Sequence, residues 1–238
     1  GTEAVRGVEG GEHGAVAVAL VGTLASTRFA DLLRRFGRAH PRVRLELRTA
    51  TSQEVSDLVR RGEATVGLRY FADADPSLLC EVVTEEALVV VCAPDHPLAG
   101  RRVRDARVLA GERWVTFPSR RRRPEAFATA LEQRLAVAGL GTGDIIRIDS
   151  LTAQKRFVEA GFGIALLTES GVEEELRTRA LRTIDVPALR GGVPVTLVLR
   201  RNGYLSGAAR TLVTVIRTGP GRGSDRRAPT ARRPATRS

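Results

Sequence analysis

The chain has 238 residues, of which 42% are hydrophobic and 27% are charged, a balance typical of a soluble globular protein with a substantial core. No apolar run approaches the roughly 20 residues that cross a bilayer, and the first residues lack a signal-peptide pattern, so we expect a cytoplasmic protein without membrane contact. Two cysteines, Cys80 and Cys92, are too few for a disulfide framework and fit a reducing compartment.

The formal net charge of +11 is concentrated in part near the carboxyl end, where residues 218–238 hold six arginines and one aspartate. This Gly-, Pro- and Arg-rich segment cannot bury apolar area and is predicted to be a disordered basic tail. No helix places arginines on one face beside aromatic residues, which disfavours nucleic-acid contact by this segment itself. The chain has no methionine, which indicates a fragment or a processed product.

Residues 14–93 alternate apolar strands with amphipathic helices. The predicted elements, in chain order, are a strand at 15–21, a helix at 27–39, a strand at 43–48, a helix carrying Val55, Leu58 and Val59, and a strand at 65–69. This alternation predicts a doubly wound βαβαβ unit with right-handed crossovers. Residues 70–86 are predicted to be irregular apart from a short strand at 82–84, and residues 87–93 form another strand with Cys92 in the core.

A second α/β block follows the proline-flanked turn at 94–97. Its predicted elements are strands at 113–117, 145–148, 164–167 and 181–186 and helices at 125–138, 151–160 and 173–177. A final strand at 193–199 and a helix at 205–216 have no partner of their own there, so we expect them to complete the first block. Two crossings, near 93–95 and 187–192, would then form a double hinge between two Rossmann-like subdomains. The predicted division is a linker end at 1–13, subdomain I at 14–93 and 193–217, and subdomain II at 94–192.

Five segments carry a family resemblance through their order along the chain and their residue sequences. They lie at 29–36, 40–47, 58–63, 86–98 and 157–167. Together they resemble the effector-binding domain of a LysR-type transcriptional regulator. The resemblance implies the type II periplasmic-binding-protein architecture with a small ligand between the subdomains. It also implies an upstream winged helix-turn-helix domain, absent here, that binds promoter DNA as part of a homodimer or homotetramer. Thr65 and Thr168 depart from the usual family residues.

The resemblance also implies where the ligand binds, at strand ends that face the cleft. The matching positions are Thr23, Thr51, Ser52, Phe117, Pro118, Ser119, Asp149 and Ser150. Hydroxyls beside the free N–H groups of a helix N-terminus suit a carboxylate, so the effector is expected to be anionic. Phe117 and Pro118 offer apolar surface to a ring or an alkyl group. The alternative role for each hydroxyl is simple helix capping.

The arginines near these positions leave two interpretations open. Arg69 ends the third strand and is either an ion partner in the cleft or an ordinary surface arginine. One of Arg120, Arg121, Arg122 and Arg123 clamps an acidic effector, or all four belong to a solvated loop.

Nothing in the sequence has the spacing of a catalytic or metal site. His13, His40 and His96 are scattered, no HxxxH or CxxC pattern occurs, and no Gly-x-Ser-x-Gly elbow is present. We therefore predict no enzyme activity and no cofactor. The prediction is a ligand-sensing regulatory domain, and the alternative is a solute-binding receptor of a transport system, which would need a signal peptide or a lipid anchor.

Overall fold

The computed structural model describes residues 13–25, 28–118, 125–141 and 143–219. Nine strands are assigned there: Gly14–Val21 (β1), Val43–Ala50 (β2), Val66–Tyr70 (β3), Leu78–Cys92 (β4), Trp114–Thr116 (β5), Ile145–Arg147 (β6), Ala165–Thr168 (β7), Arg182–Ile184 (β8) and Gly192–Arg200 (β9). Six α-helices accompany them: Arg28–Ala39 (α1), Ser52–Arg60 (α2), Ala126–Val137 (α3), Leu151–Glu159 (α4), Glu173–Thr178 (α5) and Gly207–Thr218 (α6). Most of the predicted linker at 1–13 and of the predicted tail at 218–238 lies outside the described residues, but Thr218 belongs to α6 and not to the tail.

The main sheet has the strand order β2-β1-β3-β9-β4-β7, with β8 also paired to β4. β1 is parallel to both β2 and β3, as the predicted βαβαβ unit requires. The apolar sequence of β1 fits its inner position, and the alternating sequence of β2 fits its position at the edge of the sheet. Strand β9 pairs antiparallel to β3, so the end of the chain does return to the first block. β5 and β6 form a separate parallel pair.

Strand β4 is the main error in the predicted secondary structure. The sequence suggested two short strands at 82–84 and 87–93, whereas the chain forms one continuous strand, Leu78–Cys92. Its first part, up to Ala87, pairs with β9, and from Leu88 onward it pairs with β7 and β8. The strand was not predicted because charged residues on its exposed face interrupt the apolar pattern, and its register with β9 is irregular near Val82.

The helices pack through the faces that their sequence periodicity predicts. Phe29, Leu32, Leu33 and Phe36 of α1 are all buried, as the i, i+3, i+4, i+7 spacing requires. Helix α2 lies directly against β3, and the contact is close because Gly67 of β3 has no side chain. A Cβ atom at this position would come within 2.9 Å of the methyl groups of Val55 and Val59. Gly67 thus fixes the distance between α2 and the sheet.

Replacing Gly67 with alanine is expected to destabilise the fold by about 1–3 kcal/mol, because the methyl group forces α2 away from β3. Gly37→Ala in α1 is the matched control. A Cβ atom there meets no atom within 4 Å, and alanine favours a helix over glycine by about 0.5–1 kcal/mol. Urea unfolding of both variants checks the pair. An unchanged midpoint for Gly67→Ala would show that the helix shifts without cost.

Candidate functional site

A cavity of about 580 Å³ opens where β1 and β2 end. The two strands are parallel and in register, with Val21 opposite Ala50, so the segments that follow them reach the same edge of the sheet. Residues of the second block close the other side. The cavity is lined by Val21, Gly22, Thr23, Thr49, Ala50, Thr51, Glu54, Phe117, Glu125, Phe127, Asp149, Ser150, Leu151 and Thr152. This position is the usual one for ligands in open α/β sheets.

Five of the nine sequence-predicted site residues meet around this cavity: Thr23, Thr51, Phe117, Asp149 and Ser150. Their role in binding stays a prediction. Ser52 adjoins the cavity through Glu125, and Pro118 is not among the lining residues. Ser119 and the arginines at 120–123 lie outside the described residues.

Thr23 belongs to a short 3-10 turn, Gly22–Ala25, that separates β1 from α1. Its hydroxyl donates to the phenol oxygen of Tyr70 over 3.1 Å. Burial raises the pKa of the Tyr70 phenol above its ordinary value, and the hydrogen bond from Thr23 opposes this only in part. The buried Tyr70 phenol therefore stays neutral and accepts the hydrogen bond from Thr23.

Thr51 and Ser150 both cap helices while lining the cavity. Thr51 forms a capping box with Glu54, in which its hydroxyl accepts from the Glu54 N–H over 3.3 Å and its own N–H donates to Oε2 of Glu54 over 3.0 Å. Ser150 accepts from the Ala153 N–H over 3.3 Å at the start of α4. The capping role considered from the sequence is thus present at both positions.

Glu125 reaches across the cavity to the first turn of α2. Its Oε2 accepts from the backbone N–H of Ser52 over 2.9 Å, and its Oε1 accepts from the Ser52 hydroxyl. Ser52 itself is only 2% exposed. The donors that the sequence analysis assigned to a ligand carboxylate are therefore held by a side-chain carboxylate of the second block.

Three aromatic rings form the apolar part of the cleft. Tyr70 and Phe127 are stacked with their centroids 4.4 Å apart, and Phe117 meets Phe127 edge-on at 5.6 Å. Phe117 and Phe127 line the cavity, whereas Tyr70 is fully buried behind them. Phe127 is 3% exposed and also lines the cavity, so it belongs both to the core and to the wall of the cleft.

Arg69 does not lie in the cleft, and it is not a surface residue either. Its side chain is 8% exposed, and Nη1 donates over 2.5 Å to both the Asp73 carboxylate and the Ser56 hydroxyl. Both interpretations from the sequence are wrong, because the turn after β3 brings a carboxylate beside the guanidinium and the buried pair satisfies its charge.

Three residues that line the cavity were not predicted from the sequence: Glu54, Glu125 and Thr152. A signal for Glu54 was available, since a Thr three residues before a Glu is the capping-box pattern. No local signal marks Glu125, because its partner is 73 residues away. With Asp149, the described lining holds three carboxylates and no lysine or arginine. No cluster of three or more potential metal ligands occurs in the described part of the chain.

A family model described as the LysR substrate binding domain matches residues 9–220. Among curated relatives, the chain is 31% identical to the phosphonates import ATP-binding protein PhnC of Anaeromyxobacter dehalogenans, over 79% of this chain and 37% of that protein. It is 27% identical to the RuBisCO operon transcriptional regulator of Allochromatium vinosum, over 87% of this chain and 67% of that protein. The chain thus spans between about a third and two thirds of the length of these relatives.

Solved structures show the same fold. The regulatory domain of CcmR from Synechocystis PCC6803, in complex with 2-PG, superposes with a TM-score of 0.76 at 17% identity, over 87% of this chain and 97% of that chain. The effector-binding domain of QuiR with shikimate gives 0.72 at 16% identity, over 86% and 95%. That of BenM with benzoate gives 0.70 at 22% identity, over 86% and 90%. These matches confirm the predicted architecture of two α/β subdomains of the periplasmic-binding-protein type.

Proposed function

The chain belongs to the LysR substrate-binding domain family, and we propose that it is the ligand-sensing part of a LysR-type transcriptional regulator. The observation that carries this proposal is the cavity at the carboxyl ends of two parallel strands, whose lining contains hydroxyl groups from both blocks and two aromatic rings. In this proposal the cavity binds a small molecule and does not catalyse a reaction on it. No helix among the described residues has the length and apolar character to cross a membrane.

The proposed effector is a small organic anion with an apolar part. The N–H and hydroxyl of Ser52 at the start of α2 favour a negative group, as the carboxylate of Glu125 on these donors illustrates. Phe117 and Phe127 present ring surface to the remainder of the molecule. A carboxylic acid with a ring or an alkyl chain matches the Ser52 donors and the ring surface, although the described lining holds three carboxylates and no lysine or arginine.

We propose that the signal travels through the angle between two subdomains. We expect the two passages between them near 93–95, directly after the end of β4, and near 187–192, where β9 begins. An effector that contacts both sides favours one closure angle over the others. In the whole regulator this change would reach an upstream winged helix-turn-helix domain on promoter DNA, within a cytoplasmic homodimer or homotetramer.

Filling the cavity is expected to abolish effector binding without unfolding the chain. Thr152 is exposed at the start of α4 and lines the cavity, so Thr152→Trp places an indole in the space that a ligand needs. We expect at least a tenfold loss of affinity for benzoate or shikimate in titration calorimetry, with an unchanged melting temperature of the free protein.

The control for Thr152→Trp is Thr214→Trp, the same change at an exposed position of α6 away from the cavity. This variant should bind as the wild type does. Full binding by Thr152→Trp would place the effector site elsewhere and refute the proposed cleft.

A further inference from the structure

The position of the Glu125 side chain is not explained by contacts within its own helix. It occupies the N-cap position of α3, yet its side chain makes no hydrogen bond to that helix. Glutamate is also not among the residues that helices prefer at this position. The carboxylate instead spans the cleft and ends on Ser52, which opens α2 in the first block. Its place in the structure is therefore determined by the contact across the cleft.

The contact reproduces what a bound carboxylate would do. Both oxygens of Glu125 are engaged, one by the Ser52 N–H at 2.9 Å and the other by the Ser52 hydroxyl. An N–H group in the first turn of a helix carries the positive end of the helix dipole, which favours an anion at this point. A carboxylate effector that used these donors would need the volume that Glu125 now fills.

We propose that Glu125 is an internal ligand of the cleft, which an effector carboxylate must displace from Ser52. The inference rests on the proposed function and adds a specificity-determining residue to it. A tethered group competes at an effective concentration on the order of millimolar. The apparent affinity of any carboxylate falls in proportion to the fraction of molecules in which Glu125 does not hold the donors.

This competition selects among anions. A bare carboxylate such as acetate offers Ser52 the same group as Glu125 and gains nothing further, so it does not displace the tethered group. An acid with a ring gains additional contact with Phe117 and Phe127 on the wall of the same cavity. Displacement also removes the hydrogen bonds that join the first block to the second at this point, so binding and release of the contact are coupled.

The first test needs no effector. In the 238-residue chain, Glu125→Ala is expected to raise the hydrogen-exchange rate of the Ser52 amide at least tenfold, while the amides of Val55 and Val59 keep their protection. Glu132→Ala, which removes a carboxylate on the same helix outside the cavity lining, should leave the Ser52 rate unchanged. Equal Ser52 exchange in wild type and Glu125→Ala would overturn the contact itself.

The second test uses benzoate and acetate as probes in calorimetric titrations. Glu125→Ala is expected to bind benzoate at least tenfold more tightly than wild type and to bind acetate detectably, and Glu125→Gln should fall between the two. Unchanged, weaker or absent benzoate binding by Glu125→Ala would overturn the competition.

Adding Thr152→Trp to Glu125→Ala separates this inference from the proposed function. Loss of benzoate binding in the double variant supports both proposals. If Ser52 exchange is accelerated but the double variant still binds benzoate, the proposed cleft fails while the Glu125 contact stands.

Discussion

Asp73→Ala is expected to destabilise the domain by about 3–5 kcal/mol, because it leaves a buried guanidinium without its carboxylate. Arg69 and Asp73 are 8% and 13% exposed, and their ion pair is 2.5 Å long. Asp73 also accepts from the N–H of Asp75 over 2.9 Å, so its removal frees a second donor in the same turn. Equilibrium unfolding in urea measures the loss.

Asp31→Ala is the control for this buried pair. Asp31 binds Arg34 over 3.0 Å, but the two side chains are 62% and 59% exposed, and such surface pairs contribute about 0–1 kcal/mol. A comparable loss in both variants would show that burial of the Arg69 pair adds nothing.

The pH dependence of Asp73→Ala gives a further check on the same pair. Burial raises the pKa of Asp73, but hydrogen bonds from Ser56 and the Asp75 amide and the charge of Arg69 outweigh it, so the pKa lies below its ordinary value of 3.8. The native state therefore binds fewer protons than the unfolded state in this range. The pair's contribution is present above the unfolded pKa and is lost as the pH falls through the native one. The difference between wild type and Asp73→Ala should accordingly shrink in acid.

Phe127→Ala is expected to cost about 3–5 kcal/mol of stability and to enlarge the cleft. Phe127 is 3% exposed and stacks on Tyr70 at 4.4 Å while contacting Phe117 at 5.6 Å, so its removal leaves two rings without their shared partner. Thermal unfolding of the free protein measures the cost. Benzoate affinity should fall as well, because the ring wall loses its central member.

Two further variants serve as controls for the loss of stability in Phe127→Ala. Val137→Ala lies on the same helix at 90% exposure and should change stability by less than about 0.5 kcal/mol. Phe127→Leu keeps most of the volume and should cost less than Phe127→Ala. A loss equal to that of Val137→Ala would mean that the cleft rearranges around the missing ring.

Elements with local signals can be predicted from the residues alone. The four buried residues of α1 repeat with helical spacing, and β1 is apolar because helices and strands surround it. Helix α2 ends before Gly62, whose φ of +75° lies in the left-handed region that glycine adopts without strain. The residues that follow β1 and β2 meet at one edge because parallel strands end together, so Thr23 and Thr51 were found as cleft residues.

Features that join distant residues depend on how the whole chain packs in three dimensions. Strand β4 is continuous because β9 pairs with its first part and β7 and β8 with its second, and its own composition does not reveal this. Whether Arg69 faces a ligand, the solvent or Asp73 depends on the path of the following turn.

The start of α2 beside the cleft is the clearest example of a contact that the local sequence does not predict. The sequence assigns donors to the start of α2, but the carboxylate that holds them comes from a residue 73 positions away. Periodicity and helix capping are encoded over a few residues, whereas contacts across the cleft depend on how two blocks come together. The sequence thus located the cleft, and the tertiary structure determined that Glu125 occupies it.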